Sequence, residues 1–111
     1  MDKISFQVQG SESVPYEVAF IKEGSNLFCT CTCKAGMNNT HCKHRLRILL
    51  NDPEAIVSGN LNEVGIVASW LPGSQLAKAI MDYEEAEKEF EAASEYRKKA
   101  LKVIGWAMNP R

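Results

Sequence analysis

The sequence predicts an α+β chain in which a small antiparallel β-meander leads into a short helix and then a long C-terminal helix. Three observations carry this expectation. Apolar and polar residues alternate in the first third of the chain. All four cysteines and both histidines fall between positions 29 and 44. Beyond position 74 a long stretch holds no proline before Pro110 and only one glycine, Gly105.

The elements follow in order. Ile4, Phe6 and Val8 alternate with Ser5, Gln7 and Gln9, the period of a half-buried strand. Residues 14–21 are rich in Val, Tyr, Phe and Ile, and residues 27–33 alternate again. Between them Glu23-Gly24-Ser25-Asn26 is a hairpin turn signal. After Cys42 the pattern becomes helical, with His44, Leu46, Arg47, Ile48, Leu49 and Leu50. Asp52-Pro53-Glu54 reads as the N-cap, first-turn proline and first-turn acid of a short second helix that Gly59 and Asn60 end. Residues 61–71 suit a buried helix turn or a strand equally. Pro72-Gly73 is a break, and Ser74 stands where it would cap a helix from Gln75 to about Met108. The expected division is a compact domain over 1–60 and a helical region over 61–111, with the coiled-coil-like helix starting at about 74.

Composition narrows the function classes. The 111 residues are 45% apolar and 24% charged, so the chain as a whole is not disordered. The net charge of −1 excludes a generally basic nucleic-acid coat. No apolar run approaches the ~18 residues of a membrane helix, and the N-terminus lacks the apolar core of a secretory signal. A cytoplasmic protein with no membrane partner is expected, in a compartment where thiols stay reduced. Charge is sorted along the chain. Residues 34–47 carry Lys34, Lys43, Arg45 and Arg47 with no carboxylate, residues 82–95 carry seven acids and only Lys88, and Arg97, Lys98, Lys99 and Lys102 follow.

The cysteines are spaced as ligands. Cys31-x-Cys33, eight residues, then Cys42-x-His44 offers three thiolates and an imidazole, the donor set of a closed tetrahedral Zn²⁺ site. Four protein ligands leave no position for a catalytic water. Residues two apart on a strand lie ~6.6 Å apart, whereas two sulfurs on one zinc lie within ~3.8 Å. The strand end must therefore bend at Cys31 and Cys33. Two residues along a helix turn the direction by ~200°, so Cys42 should precede the helix and His44 sit in its first turn. A set shifted to Cys29 and Cys31 is the alternative. Otherwise Cys29 reads as a small buried side chain beside the site, and His41 as a surface residue. Structural zinc, at ~10–16 kcal/mol of apparent binding free energy, would also stabilise a domain this small.

This segment resembles the SWIM zinc finger, whose CxC–spacer–CxH pattern places a β-hairpin ahead of a short helix. The resemblance covers about residues 14–50, roughly a third of the chain, and leaves the C-terminal half unaccounted for. SWIM modules occur in chromatin-remodelling ATPases, Mutator-type transposases, recombination regulators and ubiquitin-ligase adaptors. It implies DNA binding or protein–protein interaction, with no catalytic activity of its own.

Two further features bear on partners. Lys34, Lys43, Arg45 and Arg47 bracket the ligands as candidate phosphate contacts, with Lys43 and Arg47 on one side of the helix, Arg45 pointing elsewhere, and Asn38, Asn39 and Thr40 in the loop. The alternative is an ordinary solvated face next to a site of charge −1. The C-terminal stretch shows a heptad in which Leu76, Tyr83, Phe90, Arg97 and Ile104 hold the a positions and Ala79, Ala86, Ala93, Ala100 and Ala107 the d positions. Large residues at a and alanine at d let two helices pack closely, so a homodimer is expected, antiparallel on the ground that the acidic half faces the basic half. A helix folded back on its own domain is the alternative. Trp70 and Trp106 read as core or interface aromatics. The leading expectation is a non-enzymatic zinc module that binds nucleic acid, DNA first. The alternative is a protein-interaction adaptor or inhibitor in which zinc is only structural. An enzyme is not expected, because both histidines lie in the metal segment and no nucleophile–base pair or phosphate loop is present.

Overall fold

The computed structural model describes residues 2–109 and has the expected α+β architecture. A three-stranded antiparallel sheet, ordered β1-β2-β3, is built from Asp2–Val8 (β1), Tyr16–Glu23 (β2) and Asn26–Cys31 (β3). Helices follow at Lys34–Met37 (α1), Lys43–Leu49 (α2), Val64–Trp70 (α3) and Gln75–Met108 (α4). The chain divides into two compact units, Met1–Ala77 and Lys78–Arg111.

The sheet register puts one row of apolar side chains on a common face. Phe6 pairs with Val18, Val18 with Cys31, and Phe20 with Cys29. Phe6, Val8, Val18, Phe20 and Leu27 are buried, and the Phe6 and Phe20 rings meet edge to face with centroids 6.0 Å apart. Val18, Ala19 and Phe20 are buried in succession, as suits a central strand. The β2–β3 turn places Gly24 at φ +63° as the first of two central residues, a conformation that glycine adopts without a Cβ clash. Ile48 and Leu49 of α2 and Val64 and Val67 of α3 complete the core.

Both outer edges of the sheet are closed, and by unlike means. On the β1 side, residues 55–60 run alongside as an irregular cover. Gln9 N–H donates to the Ala55 carbonyl (2.9 Å), Val57 N–H to the Gln7 carbonyl (2.8 Å), and Asn60 Nδ2 to the Ser5 carbonyl (2.8 Å). On the β3 side the Gln75 side chain takes the place of a strand at Leu27. Gln75 Oε1 accepts from Leu27 N–H (2.8 Å) and Gln75 Nε2 donates to the Leu27 carbonyl (2.6 Å). Edges left open would invite pairing with other chains.

The short helix expected after Asp52 does not form. Asp52 Oδ1 accepts from Glu54 N–H at 3.0 Å, which makes a local turn, and Ile56 is held in a bridge to Val8. The edge of β1 competes for the same backbone groups that a helix would have used, and it wins. Residues 61–71, open on sequence, form a single 3-10 turn at Leu61–Glu63 followed by α3. Ser74 does cap α4, its Oγ accepting from Leu76 N–H at 3.3 Å, and Gly105 leaves that helix unbroken. No helix among the described residues is long and apolar enough to cross a membrane.

Replacing Gln75 with alanine is expected to lower unfolding stability by about 1–3 kcal/mol, since Leu27 would lose partners for two backbone groups. Urea denaturation checks this, and a Gln75→Glu variant, which keeps the acceptor and loses the donor, should fall between the two.

Candidate metal centre

The turn that brings the ligands together begins where β3 ends. Cys31 is the last strand residue, and Cys33, two residues on, has left the ladder to become the N-cap of α1. Its Sγ accepts from Gly36 N–H at 3.3 Å, and Cys31 Sγ accepts from Cys33 N–H at 3.5 Å. The bend thus supplies two N–H groups to two sulfurs, where thiolates are stabilised by such donors. Gly36 is required here. A Cβ on it would lie 2.2 Å from the Cys31 carbonyl oxygen, a backbone atom with no freedom to withdraw.

The second pair arrives on α2. Cys42 is the extended N-cap residue and makes no capping bond through its sulfur, while His44 is the second residue of the helix. This is the arrangement that the x-spacing demanded. The ligand atoms of Cys31, Cys33, Cys42 and His44 all lie within 4.8 Å of one another, and all four residues are buried. Cys31 Sγ and His44 Nδ1 are 3.8 Å apart. Nδ1 therefore faces the thiols, whereas Nε2 faces Gly10, where a Cβ would come within 3.2 Å of it. The Tyr16 ring lies beside the imidazole with centroids 5.0 Å apart. All four cysteines are free thiols. Cys29 is half-buried and stands outside the cluster, and His41 is exposed.

Electrostatics show what the cluster lacks. Burial, foremost, pushes the Cys31 thiol up to about 12 and the Cys29 thiol up to about 11. Burial also raises Cys33, but the N–H of Gly36 and the neighbouring thiols of Cys31 and Cys42 outweigh it and bring that thiol below its ordinary value. His44 is lowered by burial and then by the charges of Lys43 and Arg47, so its ring is held neutral, as a ligand requires. Three sulfurs in one buried spot cannot all ionise without a cation among them. A dication supplies that charge and deprotonates coordinating thiols outright. The four residues fit a metal ion site.

Arg45 completes the charge balance. Its Nε donates to Cys42 Sγ at 3.1 Å and Nη1 to the Cys29 carbonyl at 3.2 Å, while Nη2 donates to the Thr40 carbonyl. Three thiolates and a dication leave a net charge of −1, which the guanidinium at Cys42 offsets. Of the four basic residues singled out on sequence, Lys34, Lys43 and Arg47 are exposed, while Arg45 is folded onto the ligand loop. Gly36, Gly10 and the inward role of Arg45 escaped the sequence reading. The one available signal was Arg45's position three residues after Cys42, a helical step that returns it to that ligand's side.

Comparison with protein-family models, curated proteins and solved structures finds no match. The candidate site rests on its geometry and donor chemistry.

Two outcomes are expected. Arg45→Met should weaken binding of Co²⁺, followed by its d–d absorption, by about 10–100-fold, as loss of a partner that orients a ligand does. Acid should release the metal. The folded-state pKa of His44 lies below its unfolded value, so the unfolded chain binds more protons once the pH falls below about 6.5. Stability and metal loading are thus full above that pH and are lost as it falls further, and protonation of the thiolates acts in the same direction. A chromophoric chelator followed across pH 7 to pH 4 reads this loss.

Proposed function

We propose that the chain is a non-enzymatic zinc-binding module of the SWIM type that contacts nucleic acid, duplex DNA first, through the exposed basic residues around the finger. Zinc is favoured by the donor chemistry. Three thiolates and an imidazole in a four-ligand set suit Zn²⁺ better than the oxygen-seeking cations. The four-ligand set leaves no protein-defined vacancy for substrate, which supports a structural metal and a binding role. The observation that carries the nucleic-acid reading is the placement of Lys34 and Lys43. Each immediately follows an N-cap cysteine of the cluster, and both are exposed. Arg47 lies one helical turn beyond Lys43 on the same side. With Arg45 committed to the ligand loop, three phosphate contacts remain, corresponding to a salt slope of about −2.7.

A second reading, a protein-interaction adaptor, is favoured by α4. Its acidic run repels phosphate, and large apolar side chains stand exposed along it, Trp106 among them. In that reading zinc builds the scaffold and the helix makes the contact.

Titration of labelled duplex and single-stranded DNA at two salt concentrations separates the readings. Binding to duplex is expected, weakening with salt, and lost in a Lys34→Glu/Lys43→Glu/Arg47→Glu variant whose zinc content is unchanged. Absence of binding by the zinc-loaded wild type at low salt would favour the adaptor.

A further inference from the structure

Helix α4 has 34 residues and spans ~51 Å at 1.5 Å per residue. Among the described residues of the unit Lys78–Arg111 it is the only element, and it leaves much of its apolar surface in solvent. Of the large apolar residues at a positions, Tyr83 is 45% exposed, Phe90 71% and Ile104 49%. The arrangement of these residues along the helix is informative, because it fits one pairing of the helix with itself and conflicts with the other.

When a second copy is laid antiparallel, with its residues running downward as the first run upward, a positions face d positions. The heptad then closes about a two-fold axis between residues 91 and 92. Tyr83 meets Ala100, Phe90 meets Ala93, and Arg97 meets Ala86 of the second copy. Every one of these layers places a large side chain against an alanine, so the axes can approach to the ~8 Å end of the helix-packing range without voids. Ile104 against Ala79 extends the same pattern toward the ends. A parallel pair would instead alternate layers of two large residues with layers of two alanines, which no single interaxial distance satisfies.

Charge selects the same arrangement independently. Arg97 is the only charged residue at an a position. In the antiparallel register it lies beside the e-position Glu87 of the second copy, within one residue of the same level. The pair occurs twice by symmetry. In a parallel pair Arg97 would face its own copy across the seam, and Asp82 at g would face Glu87 at e, so both contacts would repel. Both Glu87 and Arg97 are exposed, and neither belongs to an ion pair within the chain among the described residues.

We infer that the exposed a/d face of α4 is the docking surface for a second copy of this chain, antiparallel, with Glu87 and Arg97 setting direction and register. The inference stands on the helix alone and is independent of what the finger binds.

Charge exchange tests it. The full chain, zinc-loaded and reduced, is followed by sedimentation equilibrium up to high micromolar concentration. The wild type is expected to dimerise. Glu87→Arg and Arg97→Glu should each weaken association at least about tenfold, because each turns two attractive contacts into repulsive ones. The double variant, Glu87→Arg with Arg97→Glu, should return to within about threefold of wild type. Circular dichroism of each variant shows whether the helix itself is retained, and the exposed positions make that the expected result. A wild type that remains monomeric overturns the inference. So does a double variant that fails to recover association, since that would assign the face to a parallel pair or to a different protein.

Discussion

Charge burial is the constraint on which the compact unit depends. Three thiols and an imidazole meet in a place from which water is largely excluded, and burial alone would keep Cys31 protonated. A dication among the sulfurs would let them ionise, and a counter-charge would offset the remainder. Much of the local architecture answers that requirement. The β3 end bends to direct N–H groups at sulfur, Cys42 is the N-cap residue of α2 so that His44 lies in the first turn, and Arg45 reaches back over the loop to the Cys42 sulfur. The apolar core underneath is small, and the face of β3 that carries Leu27 into it also carries Cys29 and Cys31. The candidate metal site and the core therefore share a strand.

Side chains do much of the work that longer elements do in larger domains. Gln75 imitates a neighbouring strand for Leu27, and Arg45 satisfies the Cys29 carbonyl on the same edge. Asn60 and Ser58 tie the irregular cover to β1, with Ser58 Oγ accepting from Gln7 N–H at 3.1 Å. In so short a chain, four polar side chains and the backbone of residues 55–57 stand where further strands would pair. The consequence for energetics is that several exposed or half-exposed polar residues have backbone partners whose loss would leave sheet groups unpaired.

The strand alternation, the β2–β3 turn, the cap at Ser74 and the extent of α4 were legible in the sequence because each is a local pattern with a local cause. The ligand set was legible for a related reason, since paired spacings of Cys and His limit how the backbone can run. The residues 53–58 were misread because the cap signal at Asp52 is local whereas the edge of β1 that captures Ala55 and Val57 is remote in sequence. Helical spacing turns Arg45 away from Lys43 and Arg47, but it does not say that the guanidinium meets the Cys42 sulfur. Gly36 gave no signal, because the atom that excludes a side chain there belongs to Cys31.

That last contact changes what counts as the motif. The carbonyl of Cys31 forbids a Cβ at Gly36, and Arg45 follows directly on the imidazole ligand to meet the sulfur of Cys42. The pattern that geometry imposes is therefore longer than its four donors: Cys-x-Cys-x-x-Gly, a spacer of five, then Cys-x-His-Arg. A pattern restricted to the ligands would accept chains whose loop cannot close and would treat the glycine and the arginine as free positions. Written with them, it becomes a filter for sites of this construction in sequences that share nothing else with this one.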